Sequence, residues 1–184
     1  MTMIFLYLLG VASIIDKHLS EDQTDEVQQC TFGQASGNFA NESFISTYRI
    51  PNSVLSYTSS GDLSPTEDQT FDISHSFDDN LDTYWIADQE STDSYSSYII
   101  ISYKSPMTIQ AILYDGNYFT HDSHRDFYGF PLEMTVYTST GGSEFKKVAF
   151  FKSNRKPGKP WIRIQFPLNK PITGDRIKLE FNKC

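Results

Sequence analysis

Basic residues are scarce where this chain begins. Residues 1–98 hold only Lys17 and Arg49 against 16 acids, a charge of −14, whereas residues 99–184 carry +6, giving the overall −8. That acidic balance excludes general nucleic-acid binding, and its unevenness sets an acidic end against a basic end. No second long apolar run follows the N-terminal one and the C-terminus is polar, so no transmembrane anchor is expected. Cysteine is confined to Cys30 and Cys184. The two thiols either form one bridge in an oxidising compartment or stay unpaired in a reducing one. Also missing are a sustained helical period, a nucleophile elbow, a phosphate-cradling glycine loop and a zinc-protease motif. Their absence leaves catalysis without support, and the chain is not expected to be an enzyme.

Aromatic residues, in contrast, are plentiful. They make up 15% of the chain, within a hydrophobic share of 39%, enough for a folded core. With many Ile, Val, Ser and Thr they favour strands. Strand signals occur at Ser53–Tyr57, Tyr98–Tyr103, Thr108–Tyr114, Leu132–Thr138 and Phe145–Phe151, the last two joined by the hairpin signal Thr140-Gly141-Gly142-Ser143. The run Ile99-Ile100-Ile101 reads as buried on both faces. Ile162, Ile164 and Phe166, and later Ile177, Leu179 and Phe181, alternate with polar residues, which places one face on a core and one in water. About eight antiparallel strands separated by short turns predict an all-β jelly-roll sandwich.

Residues 1–13 read as a secretory signal peptide: Ile4-Phe5-Leu6-Tyr7-Leu8-Leu9 is too short to span a bilayer, and small residues follow at Gly10, Ala12 and Ser13. No Lys or Arg precedes the run, and the competing reading is a buried first segment. Residues 14–29 are polar and acidic and read as a flexible lead-in. The compact domain is expected over 30–184. An exported chain would be secreted or extracellular, with a glycosylation acceptor at Asn41 in Asn41-Glu42-Ser43.

Ser76-Phe77-Asp78-Asp79-Asn80-Leu81-Asp82-Thr83-Tyr84-Trp85 concentrates side-chain oxygens ahead of an aromatic pair. Such a turn binds its own backbone or a hard cation. The segment resembles the "A-x-D-G-x-x-x-T-x-W" block of discoidin-type domains, the coagulation factor 5/8 type C family. It is similar as well to family 32 carbohydrate-binding modules, which share the galactose-binding-like jelly roll. Further blocks resemble the family in order: Ile50–Ser60, the strand pair Tyr98–Tyr103 and Met107–Ile112, Phe130–Gly142, and the closing Asp175–Cys184. Asp79 stands where the family has Gly, Thr140-Gly141 where it has Asp-Gly, and Ser102 where it commonly has Asp.

The resemblance implies a Cys30–Cys184 disulfide, which over so long a loop would contribute roughly 5 kcal/mol. It implies a structural calcium (Ca2+) at Asp78, Asn80, Thr83 and Glu180. It also implies ligand loops at Ser56–Pro65, Ala87–Ser96 and Asn117–Phe130, with carbohydrate as the partner, or alternatively a protein or an anionic phospholipid surface in cell adhesion. In the third loop Tyr118, Phe119, His121, Asp122, His124 and Arg125 combine rings that stack on sugars with groups that bond hydroxyls. His121-x-x-His124 carries no specific zinc pattern. Lys146, Lys147, Lys152, Arg155, Lys156 and Lys159 form a basic stretch that either meets anionic lipid or sulfated glycan or solvates hairpin edges.

Overall fold

The computed structural model describes residues 3–10, 26–31, 33–34, 55–78, 83–89, 91–92, 94–115, 132–152 and 163–183. Nine strands and one 3-10 turn are present among them: β1 (Met3–Gly10), β2 (Gln28–Thr31), β3 (Gly33–Gln34), β4 (Leu55–Ser59), the turn Ile73–Ser76, β5 (Trp85–Ile86), β6 (Ser97–Asp115), β7 (Glu133–Ser139), β8 (Lys146–Lys152) and β9 (Arg163–Lys183).

β6 and β9 organise the sandwich. They run antiparallel along their length, with register shifts between Ser102 and Met107 and between Ile109 and Ala111. Irregularities of this kind let a long strand bend and serve two sheets. The segment 97–102 of β6 and 176–181 of β9 join β4, β7, β8 and β2 in one six-stranded half. The segment 107–115 of β6 and 163–174 of β9 join β1, β5 and β3 in the other. Two expected strand pairs, 98–103 with 108–114 and, over its described part, 163–166 with 177–181, are thus the two halves of single bent strands. The parallel pair β2–β8 makes the first half a mixed sheet, the one departure from an all-antiparallel pattern among the described strands.

Alternation fills the interior. Ile99 and Ile101 of β6, Ile177, Leu179 and Phe181 of β9, Met134 and Val136 of β7, and Ala149 and Phe151 of β8 are buried from one half. Ile109, Ile112, Phe166 and Ile172 complete the same cluster from the other. Phe151 and Phe166 meet edge-to-face at 5.4 Å between ring centres, a favoured aromatic geometry. Ile100 departs from the expected two-sided burial: it lies opposite Lys178 on the outer face and is half-buried.

Three further expectations meet the structure here. The apolar segment read as a leader is strand β1, paired with β6 over Phe5–Gly10 and with β5 at Met3 and Ile4. Gln28 and Gln29, placed in the lead-in, belong to β2, where Gln28 bonds the backbone of Lys170 through both ends of its amide. The expected Cys30–Cys184 bridge is corrected: Cys30 is a free thiol packed in the core, and Cys184 lies outside the described residues. Cys30 pairs with Phe151, Phe151 with Met134, and Met134 with Phe181. Three interstrand spacings of about 4.8 Å therefore separate Cys30 from Phe181 across the sheet. Burial pushes the Cys30 thiol up, against the opposing pull of the Asn169 backbone N–H. Asn41 also lies outside the described residues.

Candidate functional site

Two of the three expected ligand loops are described, and they meet at one end of the sandwich. The first leaves β4 at Ser59 and is fastened to the strand-like segment around Trp85. Leu63 N–H donates to Ile86 O at 2.9 Å and Asp88 N–H to Gly61 O at 3.3 Å, with an antiparallel bridge between Asp62 and Ala87. The indole of Trp85, fully buried, donates through Nε1 to Asp62 Oδ1 at 2.7 Å, and Ser59 Oγ donates to the same oxygen at 2.6 Å. A core tryptophan thus places an exposed carboxylate at the loop, its one polar atom satisfied in doing so.

Gly61 is where the loops close. A Cβ there would meet the carboxylate of Asp88, the exposed end of a side chain that would have to turn aside to admit it. Asp88 Oδ1 in turn accepts from Tyr95 Oη at 3.4 Å. The second loop is shaped by its own hydroxyls: Thr92 Oγ1 accepts from the N–H groups of Ser94 and Tyr95, a local turn typical of Thr. Buried Ser97 is bonded to Ser91 Oγ and to Gln89 O. Ser60 ties both loops to the sheet through Tyr98, with Ser60 N–H donating to Tyr98 O and Tyr98 N–H to Ser60 Oγ. The result is an acidic rim of Asp62 and Asp88 beside Tyr95, with hydroxyls around it. Carboxylate acceptors next to an aromatic ring suit a polyhydroxylated ligand.

The third loop, with Tyr118, Phe119, His121, Asp122, His124 and Arg125, lies outside the described residues. Of the calcium set, the structure brings Asp78 and Thr83 together, Thr83 Oγ1 donating to Asp78 Oδ2 at 2.6 Å; Asn80 lies outside the described residues. Glu180 projects from the outer face of the six-stranded half. There Oε1 accepts from Tyr137 Oη and Asn182 Nδ2, while Oε2 pairs with Lys178 Nζ at 2.6 Å. Both Glu180 oxygens are thus engaged, and no cluster of three His, Cys, Asp or Glu suited to a metal occurs among the described residues.

The segment around this turn is nevertheless a structural landmark. Asp72 caps the 3-10 turn by accepting from Ser74 N–H at 2.8 Å, and hydrogen bonds from Ser74 hold its carboxyl below the usual range. Phe77 is buried and stacks on Tyr57 at 4.2 Å with nearly parallel rings. Tyr84 packs on Phe71 and donates to Gln69 Oε1 at 2.9 Å, and its burial pushes its hydroxyl up. Trp85 was legible as an anchor; Asp62, Asp88 and Tyr95 as a group were not. The signal available was Ser60-Gly61-Asp62, a turn signature whose glycine meets a residue 27 positions away.

No protein-family model matches the chain, and no curated protein matches it by sequence. Solved structures do. The chain folds as a β-sandwich of the discoidin-like class, the fold of family 32 carbohydrate-binding modules. It superposes on the paired family 32 modules of ZmpB from Clostridium perfringens with a TM-score of 0.69 and 21% identity, over 88% of this chain and 38% of that one. The same pair in complex with GalNAc gives 0.68 and 21%, over 88% of this chain and 37% of that one. The family 32 module of C. perfringens NanJ, in complex with galactose, gives 0.50 and 14%, over 72% of this chain and 85% of that one. This chain therefore spans well under half the length of the ZmpB structures.

Proposed function

We propose that this chain is a secreted, non-catalytic carbohydrate-binding module that takes a galactose-type sugar at the loop end of the sandwich. The observation that carries the reading is the meeting of the two loops, with Gly61 against Asp88 and Tyr95 beside it. This places acceptors and a ring on a rigid scaffold, where loops commonly carry function. The neighbours of the same fold crystallised with GalNAc or galactose support the sugar class. Export is supported by the uncharged N-terminal apolar run with small residues after it. Mass spectrometry of the exported protein separates a cleaved leader from a retained β1.

Calorimetric titration with GalNAc and galactose, alongside a broad glycan array, tests the reading. The expected result is binding that Asp88→Ala weakens by about tenfold, the equivalent of one lost charge-assisted hydrogen bond. Failure to bind any glycan, with or without added calcium, overturns it. Repeating the titration and a thermal melt in chelator tests calcium at the Asp78–Thr83 turn, where a bound ion would raise the melting temperature.

A further inference from the structure

The outer face of the six-stranded half carries a feature that the loop end does not use. On it, cations rest on aromatic rings in three places. Lys178 Nζ lies 4.6 Å from the centre of Tyr98 and 5.2 Å from that of Tyr137; the Arg176 guanidinium lies 4.9 Å from Phe145, and Lys147 Nζ lies 5.0 Å from Phe150. Strand alternation makes this a single surface. Arg176 and Lys178 alternate with the buried Ile177 and Leu179, and Tyr137 lies between Lys147 on β8 and Lys178 on β9 in register.

We infer that this face binds an acidic polysaccharide. Each cation is held upright by a ring, so little rotamer entropy remains to be lost when an anion arrives. The carboxylates Glu133 and Glu180 on the outer rows are each already paired with a lysine, at 3.0 and 2.6 Å, so Lys147 and Arg176 tip the face to positive. Lys147 is exposed, and Lys178 keeps 21% of its side chain in solvent. Lys147 and Lys178 stand two strands apart, about 10 Å, and Lys178 and Arg176 two residues apart, about 7 Å. Net positive charge spread over neighbouring strands matches a polymer that carries carboxylate or sulfate at intervals. Among the described residues no apolar side chain of these outer rows stands fully exposed, so the face offers no spike suited to a bilayer. The partly exposed rings of Tyr98, Tyr137 and Phe150 add surfaces on which sugar C–H faces pack.

Affinity electrophoresis of the whole chain in gels containing heparin, polygalacturonate or neutral dextran tests this. Retardation by heparin, polygalacturonate or both, but not by dextran, and weakening as salt rises, is the expected result; which of the two retards more strongly separates sulfate from carboxylate. Lys147→Ala and Lys178→Gln are each expected to weaken retardation by about fivefold, with GalNAc titration unchanged. Asp88→Ala should do the reverse, so this inference and the loop-end reading fail separately. No retardation by either acidic polymer, retardation unmoved by Lys147→Ala, or tighter binding to phosphatidylserine vesicles than to both polymers overturns it.

Discussion

At the scale of single residues, Tyr103 is the oddest feature of the interior. Its ring is buried at the end of the β6 segment that faces the core, and its hydroxyl has no hydrogen-bond partner among the described residues. A buried hydroxyl left unpaired costs about 1–3 kcal/mol. Tyr103→Phe removes the hydroxyl and keeps the ring, so urea unfolding should show a gain of about 1 kcal/mol. A loss of stability on that substitution would mean the hydroxyl has a partner after all. Asp62 is the opposite case. It satisfies a fully buried indole, and Asp62→Ala should destabilise by about 1–3 kcal/mol by orphaning Trp85 Nε1. Sequence alone marked Trp85 as an anchor because an aromatic at that position of the block has a core to reach. It did not reveal Asp62 as the partner, because the two are 23 residues apart and meet only through the loop closure.

At the scale of elements, the two bends of β6 and β9 decide the architecture. Gly174 sits at one of them. A Cβ there would stand 2.8 Å from Ser139 O and 3.2 Å from Thr138 Cβ, on the neighbouring strand. Gly174→Ala must push β7 and β9 apart and should cost roughly 1–3 kcal/mol in denaturant unfolding. Gly141 and Gly142 in the β7–β8 hairpin meet open space but hold φ of 61° and 77°. Alanine at either should cost about 1 kcal/mol through the backbone alone. The hairpin was legible because its turn is local. The long bent strands were not. Lys104-Ser105-Pro106 reads as a break between strands, and only pairing with β9 on both sides of it carries β6 through. β2 escaped for a similar reason: Gln28 and Gln29 carry no apolar pattern, and their place comes from β8 and from Asn169 and Lys170 on β9.

At the scale of the whole molecule, titration reports the core. Tyr103, Tyr84 and Tyr137 are all pushed up by burial, Tyr137 further by Glu180, and Cys30 is pushed up by burial as well. A raised folded-state value means the unfolded chain gives up its proton first. The stability these groups carry is therefore fully present below their unfolded values, about 8.5 for Cys and about 10 for Tyr, and is lost as pH rises beyond them. Unfolding free energy measured in urea should fall from about pH 9 upward, and less steeply in Tyr103→Phe. On the acid side Asp72, whose carboxyl is held low by Ser74, adds stability above its unfolded value of about 4 that fades as pH falls through the folded one.

The sequence by itself determined the strand-rich class, the inward-facing residues Phe166, Ile177, Leu179 and Phe181 of β9, and the order of blocks that resembles discoidin-type domains. Period-two alternation and local turn chemistry are written in neighbouring residues, so they need no fold to be read. Only the tertiary structure decided that β6 and β9 each serve both halves, that Cys30 stays a free core thiol on β2 beside Asn169 of β9, and that Glu180 joins Lys178 and Tyr137 on the outer face. It alone brought Gly61, Asp88 and Tyr95 together. Those outcomes depend on register and on which strands become neighbours, and these are set by packing between residues far apart in the chain.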